Sequence, residues 1–254
     1  MERSPHITVH DLAVRYGDYV VMHDVSFTVR RGDVFVIMGG SGSGKSTLLN
    51  TMIGLVEPAT GEVLYDRKSF TRAAPHERRE MSRRFGVLFQ FGALWSGLTL
   101  AENVALPLEQ LTHLGRREIR DLAELKLDLV GLGDFTEFYP DQISGGMQKR
   151  AGLARAMALD PEILFFDEPS SGLDPVNARR LDDLIIELRD SLNTTIVVVS
   201  HDLASIFATA NDGIYLDARR KTVTAWGDPK ELRRHPPDRH VQAFLTRTAD
   251  EESP

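Results

Sequence analysis

Asp33-Val-Phe-Val-Ile-Met38 runs directly into Gly39-Gly-Ser-Gly-Ser-Gly-Lys-Ser46. The first segment is a nearly continuous apolar run, the pattern of a central strand covered on both faces. The second satisfies G-x-x-x-x-G-K-[ST] at every fixed position, and the residues after it predict a helix from about 45 to 55. Strand, glycine loop and helix together make a phosphate cradle. Successive backbone N–H groups must curl around phosphate oxygens, and glycine permits that close approach. The helix N-terminus adds roughly +0.5 charge at the same place. Gly39, Gly40, Ser41, Gly42, Ser43 and Gly44 are therefore expected to hold the phosphates of a nucleoside triphosphate. Lys45 is expected to reach the β- and γ-phosphates, and the Ser46 hydroxyl to ligate Mg²⁺. A flexible Gly-Ser linker would not sit between so strong a strand and a helix.

Outward from this segment the chain reads as α/β with a largely parallel sheet. Residues 7–14 and 21–29 read as strands, with Val25, Phe27 and Val29 alternating with polar residues at the period of a half-buried strand. Gly17-Asp18 supplies the turn between them. Further short apolar runs lie at 85–89, 163–166 and 195–199, each with polar residues at its C-terminal end and helical stretches between. The site is expected at the carboxyl ends of these strands. Residues 92–155 hold helical patterns around 99–111 and 116–132 and read as an inserted helical lobe. A strand pair (212–217 and 222–226) follows, then a helix after Asp228-Pro229. The last segment places Val241, Phe244 and Leu245 at helical spacing, to pack on its own domain or on a partner copy. Residues 250–254 read as disordered.

The strand ends carry the chemistry. Ile163-Leu-Phe-Phe leads into Asp167-Glu168, and a buried strand has no structural use for two acids. Asp167 fits Mg²⁺, and Glu168 can polarise the attacking water as general base. Pro169 breaks the strand, which would let both acids face the cleft; the plainer reading is an acidic turn. Gln90 closes the 85–89 run, either as a polar terminus or as a ligand to Mg²⁺ and sensor of the γ-phosphate. His201 ends the 195–199 run, either as a solvated residue or as a donor orienting the attacking water. Tyr16 can stack on adenine or pack within the hairpin. Ser144-Gly145-Gly146-Met147 opens a helix: Ser144 is a good N-cap, and the two glycines expose N–H groups as a second phosphate site. One chain does not need two cradles for one nucleotide. Two chains head to tail do, each Ser144 loop closing over the ATP held by the other.

Aromatic, glycine loop, Gln, Ser-Gly-Gly helix, acid pair, Ser171-Gly-Leu-Asp174 and His occur here in one order. The ordered set resembles the nucleotide-binding subunit of ABC transporters over nearly the whole chain. The resemblance implies a P-loop NTPase (RecA-like) core with an antiparallel β lobe and an inserted α-helical lobe. It assigns Tyr16 to the A-loop, Gly39–Thr47 to the Walker A loop, so that Thr47 joins the nucleotide site, and Gln90 to the Q-loop. Ser144–Met147 become the signature, Asp167 the Walker B acid, Glu168 the catalytic base, Ser171–Asp174 the D-loop and His201 the switch. The signature departs from the usual LSGGQ: it reads Ile143-Ser-Gly-Gly-Met147, and Met cannot make the polar contacts of Gln. That departure, with Phe89-Gln-Phe-Gly-Ala-Leu and Asn103-Val-Ala-Leu-Pro-Leu108, resembles the ATPases of Mla/Mce-type lipid transporters. As implied by the resemblance, the chain is one ABC ATPase domain over 1–254. Its core with the β lobe spans about 1–91 and 156–235, its helical lobe about 92–155 and its tail 236–254.

Bulk properties agree with that class. The chain has 254 residues, 42% apolar and 26% charged, with a formal net charge of −7 and no cysteine. A disulfide scaffold and thiolate chemistry are excluded, and the acidic balance argues against nucleic acid as partner. Basic clusters at Arg78–Arg79, Arg83–Arg84 and Arg219–Lys221 read as solvated faces, or as contacts to lipid headgroups or partner loops. No apolar run reaches the ~18 residues of a membrane span, and residues 1–6 hold no signal-peptide core. The expected assembly is a homodimer of cytoplasmic ATPases on the inner face of the cell membrane. Integral permease subunits would seat it there, and a lipid would be the cargo of the wider complex. Phe91, Leu94 and Trp95, read as exposed, would line the groove that receives a permease helix. The competing class is a soluble ABC ATPase acting on nucleic acid or ribosomes, which usually carries two cassettes, long coiled coils or basic surfaces. A small-molecule P-loop kinase would leave Ser144-Gly-Gly and His201 without a use.

Overall fold

A computed structural model describes residues 4–90 and 92–248. Strand β3 (Val34–Met38) is buried along its whole length, as its unbroken apolar run predicts. It lies inside a six-stranded sheet of order β10-β9-β3-β8-β7-β6, built with β6 (Phe85–Leu88), β7 (Ile163–Asp167), β8 (Thr195–Val199), β9 (Asp212–Asp217) and β10 (Thr222–Trp226). β3 pairs in parallel with β8 and β9, and β7 with β6 and β8; only β10 runs antiparallel, against β9.

Alternation along β3 divides the core in two, because successive strand side chains point to opposite faces. Phe35 and Ile37 join Phe165, Val197 and Val199 under a second, antiparallel sheet. That sheet has order β2-β1-β4-β5 and comprises β1 (Pro5–Tyr16), β2 (Tyr19–Arg30), β4 (Thr60–Tyr65) and β5 (Lys68–Ser69). Helix α1 (Lys45–Met52) sits between the sheets and buries Leu48, Leu49 and Met52. It ends three residues before the sequence pattern predicts, because Gly54 takes a left-handed φ of 82°. On the other face Val34, Leu164, Phe166, Ile196 and Val198 meet the helical segment, α3 (Leu100–Leu111), α4 (Arg116–Leu129) and α5 (Gly145–Ala156), together with α6 (Pro175–Leu192). β4 and the short helix α2 (Pro75–Ser82) are elements that the alternation and spacing arguments do not reach.

A third cluster joins Val36, Met38 and Tyr215 to α7 (Leu203–Thr209), α8 (Pro229–Arg234) and α9 (Arg239–Thr246). Val241 and Leu245 of α9 are buried and Phe244 packs beside them, so this last helix packs on its own chain. Residues 250–254 lie outside the described residues. Between the two sheets, Arg31 and Arg84 pair with Asp66 and Glu162 at 2.5–3.3 Å. Beneath them His6, 2% exposed, places Nδ1 2.7 Å from the Thr195 hydroxyl.

Candidate functional site

A cavity of about 780 Å³ opens at the carboxyl ends of β3, β7 and β8, where a parallel sheet is expected to place its ligand. Its floor is the loop between β3 and α1. Gly39 is indispensable there: a Cβ would stand 2.4 Å from the Leu216 carbonyl oxygen. Gly44 is the N-cap of α1, left-handed at φ 95°. Gly39, Gly40, Ser41, Gly42, Gly44, Lys45, Ser46 and Thr47 all line the cavity. Ser43 does not. Its side chain is 1% exposed and its N–H donates to the Gly40 carbonyl at 3.3 Å, so it braces the loop from beneath. Lys45 Nζ donates to the carbonyls of Gly39 and Gly40 at 3.0 and 2.9 Å. Burial lowers its pKa, and the neighbouring Glu168 and Asp167 carboxylates oppose that shift.

The acids stand opposite. Asp167 closes β7 and accepts a hydrogen bond from Ser46 Oγ at 2.9 Å, which places it directly behind the loop rather than on the open wall. Burial pushes its carboxyl pKa up and Glu168 adds to that, while the Ser46 hydroxyl and Lys45 pull it down. Glu168 lines the cavity, and the reason lies in its backbone. It adopts a left-handed φ of 50°, uncommon for a non-glycine residue. The strand alternation is thereby broken at Glu168 itself, one residue before Pro169, so Glu168 faces the cavity while Asp167 stays against Ser46 behind the loop. His201 Nδ1 lies 2.7 Å from Glu168 Oε1, close enough for the ring N–H to donate to an ionised carboxylate. Gln90 completes the wall beside them.

The opposite rim is aromatic. Tyr16 lines it, 56% exposed, and so does Tyr19, 60% exposed; Lys221 Nζ stands 4.4 Å from the Tyr19 ring centroid. Tyr19, Leu203, Phe244 and Arg247 are wall residues that the motif reading misses. Tyr19 lies three residues from Tyr16 across the hairpin turn and could have been found there. Phe244 and Arg247 reach the cavity only by the docking of α9, which no local pattern announces.

Besides Ser43 and Asp167, four expected residues do not line this cavity: Ser144, Gly145, Gly146 and Asp174. Ser144 is exposed and caps α5, its Oγ accepting from Met147 N–H at 3.3 Å. Gly146 lies beside Leu173, 3.5 Å from where its Cβ would be. Met147 turns into the apolar core with Ile143 and Leu173, a packing role that suits a thioether. Asp174 caps α6, its Oδ1 accepting from the N–H groups of Val176 and Asn177 at 3.0 and 3.1 Å. The helix start at 144–146 and the loop at 171–174 therefore lie side by side on one chain, away from its own cavity.

A separate groove of about 480 Å³ is lined by Phe89, Trp95, Leu106, Pro107, Leu111 and Arg155, among others. Trp95 is 66% exposed. Leu94, expected at the surface, is half-buried against the helical core, because the tight turn at Gly92–Ala93 points it inward. Phe91 lies outside the described residues.

Known proteins resemble the chain in the same terms. A family model described as ABC transporter matches residues 22–171. The intermembrane phospholipid transport system ATP-binding protein MlaF of Haemophilus influenzae is 39% identical over 244 residues, covering 96% of this chain and 91% of its own length. The probable ribonucleotide transport ATP-binding protein mkl of Mycobacterium tuberculosis H37Rv is 40% identical over 239 residues, 94% of this chain; the chain spans 66% of that protein. Among solved structures, the dimeric post-hydrolysis state of the ATP-binding cassette MJ0796, bound to ADP and Pi, superposes with a TM-score of 0.78 at 30% identity, covering 87% of this chain and 98% of that one.

Proposed function

The chain belongs to the ABC transporter family, and on that premise we propose that it is the motor of a phospholipid transporter of the Mla type, working as a homodimer beneath integral permease subunits. It is an ATP-binding, ATP-hydrolysing subunit. The observation that carries the reading is the meeting of Ser46 with Asp167, and of His201 with Glu168, around one cavity floored by the Gly39–Thr47 loop. The whole chain acts as one ATPase unit: core and β lobe, helical lobe at about 92–155, and a tail whose helix α9 packs on the core.

The reading gives each group a task. The loop N–H groups and Lys45 hold the phosphates, Lys45 exchanging its bonds to Gly39 and Gly40 for phosphate oxygens. Tyr16 stacks on the adenine. Glu168 takes the proton of the attacking water, and His201 holds Glu168 in place and donates toward the γ-phosphate. A divalent cation suits the residues present: Ser46 and Asp167 are hard oxygen donors 2.9 Å apart, and a cation would offset the burial that raises the Asp167 pKa. Ser46, Asp167 and Gln90 would hold Mg²⁺, which supplies charge neutralisation to the phosphates.

Ser144, Gly145, Gly146 and the Asp174 loop lie away from their own chain's cavity, which supports their use on the partner's ATP. The dimeric form of the ADP-bound cassette supports the same arrangement. Closure would then be driven by ATP and reversed by hydrolysis. The Trp95 groove is apolar and open, suited to a permease helix. No helix among the described residues is long and apolar enough to cross a membrane, so attachment to the cytoplasmic face would run through that groove. The MlaF relative supports a phospholipid cargo and the mkl relative bears a ribonucleotide name. Both are named as ATP-binding proteins of transport systems. The membrane complex should therefore be purified through this chain and its lipids identified by mass spectrometry. Phospholipid retained by the complex and released on Mg-ATP supports the reading; co-purification with nucleic acid and no membrane subunit would refute it.

A further inference from the structure

Lys149 is a buried cation, 7% exposed, and no step above uses it. It sits five residues beyond Ser144 on α5. Its Nζ donates to the main-chain carbonyls of Glu168 at 3.2 Å, Pro169 at 3.0 Å and Ser171. An ammonium has three donors, and this one spends them on the turn that carries the acid lining the cavity. Packing alone would be served by an apolar side chain, because a buried charge is costly unless its hydrogen bonds are satisfied. The turn needs support: Glu168 adopts a left-handed φ of 50°, a conformation that persists in a non-glycine residue only where the surroundings enforce it.

We propose that Lys149 is a positioning residue for hydrolysis: it clamps the 168–171 turn so that Glu168 faces the cavity, and it ties that turn to the helix whose first residues serve the partner's ATP. The inference rests on the reading of Glu168 as general base. The same helix holds a third element, because Arg155 donates to the carbonyls of Ala93 and Gly92 at 2.7 and 2.8 Å, just beyond Gln90 and beside the Trp95 groove. Helix α5 therefore links the Ser144 start, the Glu168 turn and the Gly92–Ala93 turn through side-chain hydrogen bonds. Movement of the Ser144 end onto a neighbouring nucleotide is felt at the Glu168 of its own chain through Lys149.

The experiment compares Lys149→Met and Lys149→Arg with the wild type, each as the full chain in its membrane assembly. Steady-state ATPase activity, affinity for a fluorescent ATP analogue and thermal unfolding are measured on all three. Lys149→Met is expected to lower kcat at least about tenfold while analogue affinity stays within about threefold, the signature of a group that matters to the transition state and not to ground-state binding. Lys149→Arg, which keeps the donors, is expected to recover most of the lost kcat. A Met variant with wild-type kcat overturns the proposal. So does loss of nucleotide affinity in step with kcat, or an Arg variant that is folded yet as slow as the Met variant. A wild-type assembly that does not hydrolyse Mg-ATP would instead remove the reading of the site itself.

Discussion

His201 Nδ1 and Glu168 Oε1 are 2.7 Å apart although the two residues are 33 positions apart in the chain. They come from the ends of neighbouring parallel strands, β7 and β8, and they differ in exposure: the Glu168 side chain is 11% exposed and that of His201 63%. The largely buried acid meets an exposed ring.

Glu168→Gln removes the proposed base but keeps the size and one hydrogen-bonding oxygen. Turnover should fall about 10²- to 10⁴-fold, the usual worth of a positioned base, while ATP binding persists. Added ATP should then trap a dimer visible by size-exclusion chromatography. Steady turnover in this variant would remove Glu168 from the role of base.

Lys45→Ala deletes the one ammonium on the phosphate loop. A charge-assisted hydrogen bond contributes about 1.5–3 kcal/mol, so the Kd for Mg-ATP should rise about ten- to a hundredfold. Isothermal titration of the full chain reads this directly, and an unchanged Kd would contradict the loop assignment.

Phe165 and Trp95 make a contrasting pair. Phe165 is 0% exposed and packs edge-on to Phe85 at 5.5 Å. Phe165→Ala should cost about 3–5 kcal/mol in urea unfolding. Trp95→Ala, at a 66% exposed position, should change stability by no more than about 0.5 kcal/mol. It should nevertheless reduce recovery of membrane subunits with the chain if the groove seats a permease helix.

His6 sets an acid limit on the fold. Burial, helped by Arg31 and Arg84, lowers its pKa from 6.5 to about 4. Between those values the unfolded chain binds a proton that the folded chain refuses, so stability falls as pH drops from about 6.5 to about 4. Asp66 and Glu162 have lowered pKa values owing to the same arginines, and their contribution disappears only at still lower pH. Unfolding midpoints measured from pH 7 to 4.5 should decline in the wild type and flatten in His6→Gln. Parallel curves would exclude His6 as the cause.

The strands of the parallel sheet were readable because burial on both faces leaves unbroken apolar runs, as in Val34–Met38 and Thr195–Val199. The phosphate loop was readable because its glycines answer a local steric demand. The acid pair could be found, but the device that turns Glu168 into the cleft is a left-handed backbone angle, which no residue preference at that position announces. β4 was missed because Gly61-Glu-Val-Leu-Tyr65 carries too short an alternation to stand out. Lys149, Phe244 and Arg247 were missed for a different reason. Their work depends on which element α5 or α9 packs against, and that is decided by long-range contact. Leu94 was misplaced because its side-chain direction follows from the turn at Gly92–Ala93, not from its neighbours in sequence.

The walls of the cavity over the Gly39–Thr47 loop draw on both Tyr16 and Arg247, which are far apart in the chain. During synthesis the amino-terminal parts of a chain emerge and fold first. A nascent chain can form the glycine loop early, yet it lacks its last wall until α9 has been made and has buried Val241 and Leu245. A product cut short of Val241 would carry the phosphate loop without the wall that Phe244 and Arg247 supply.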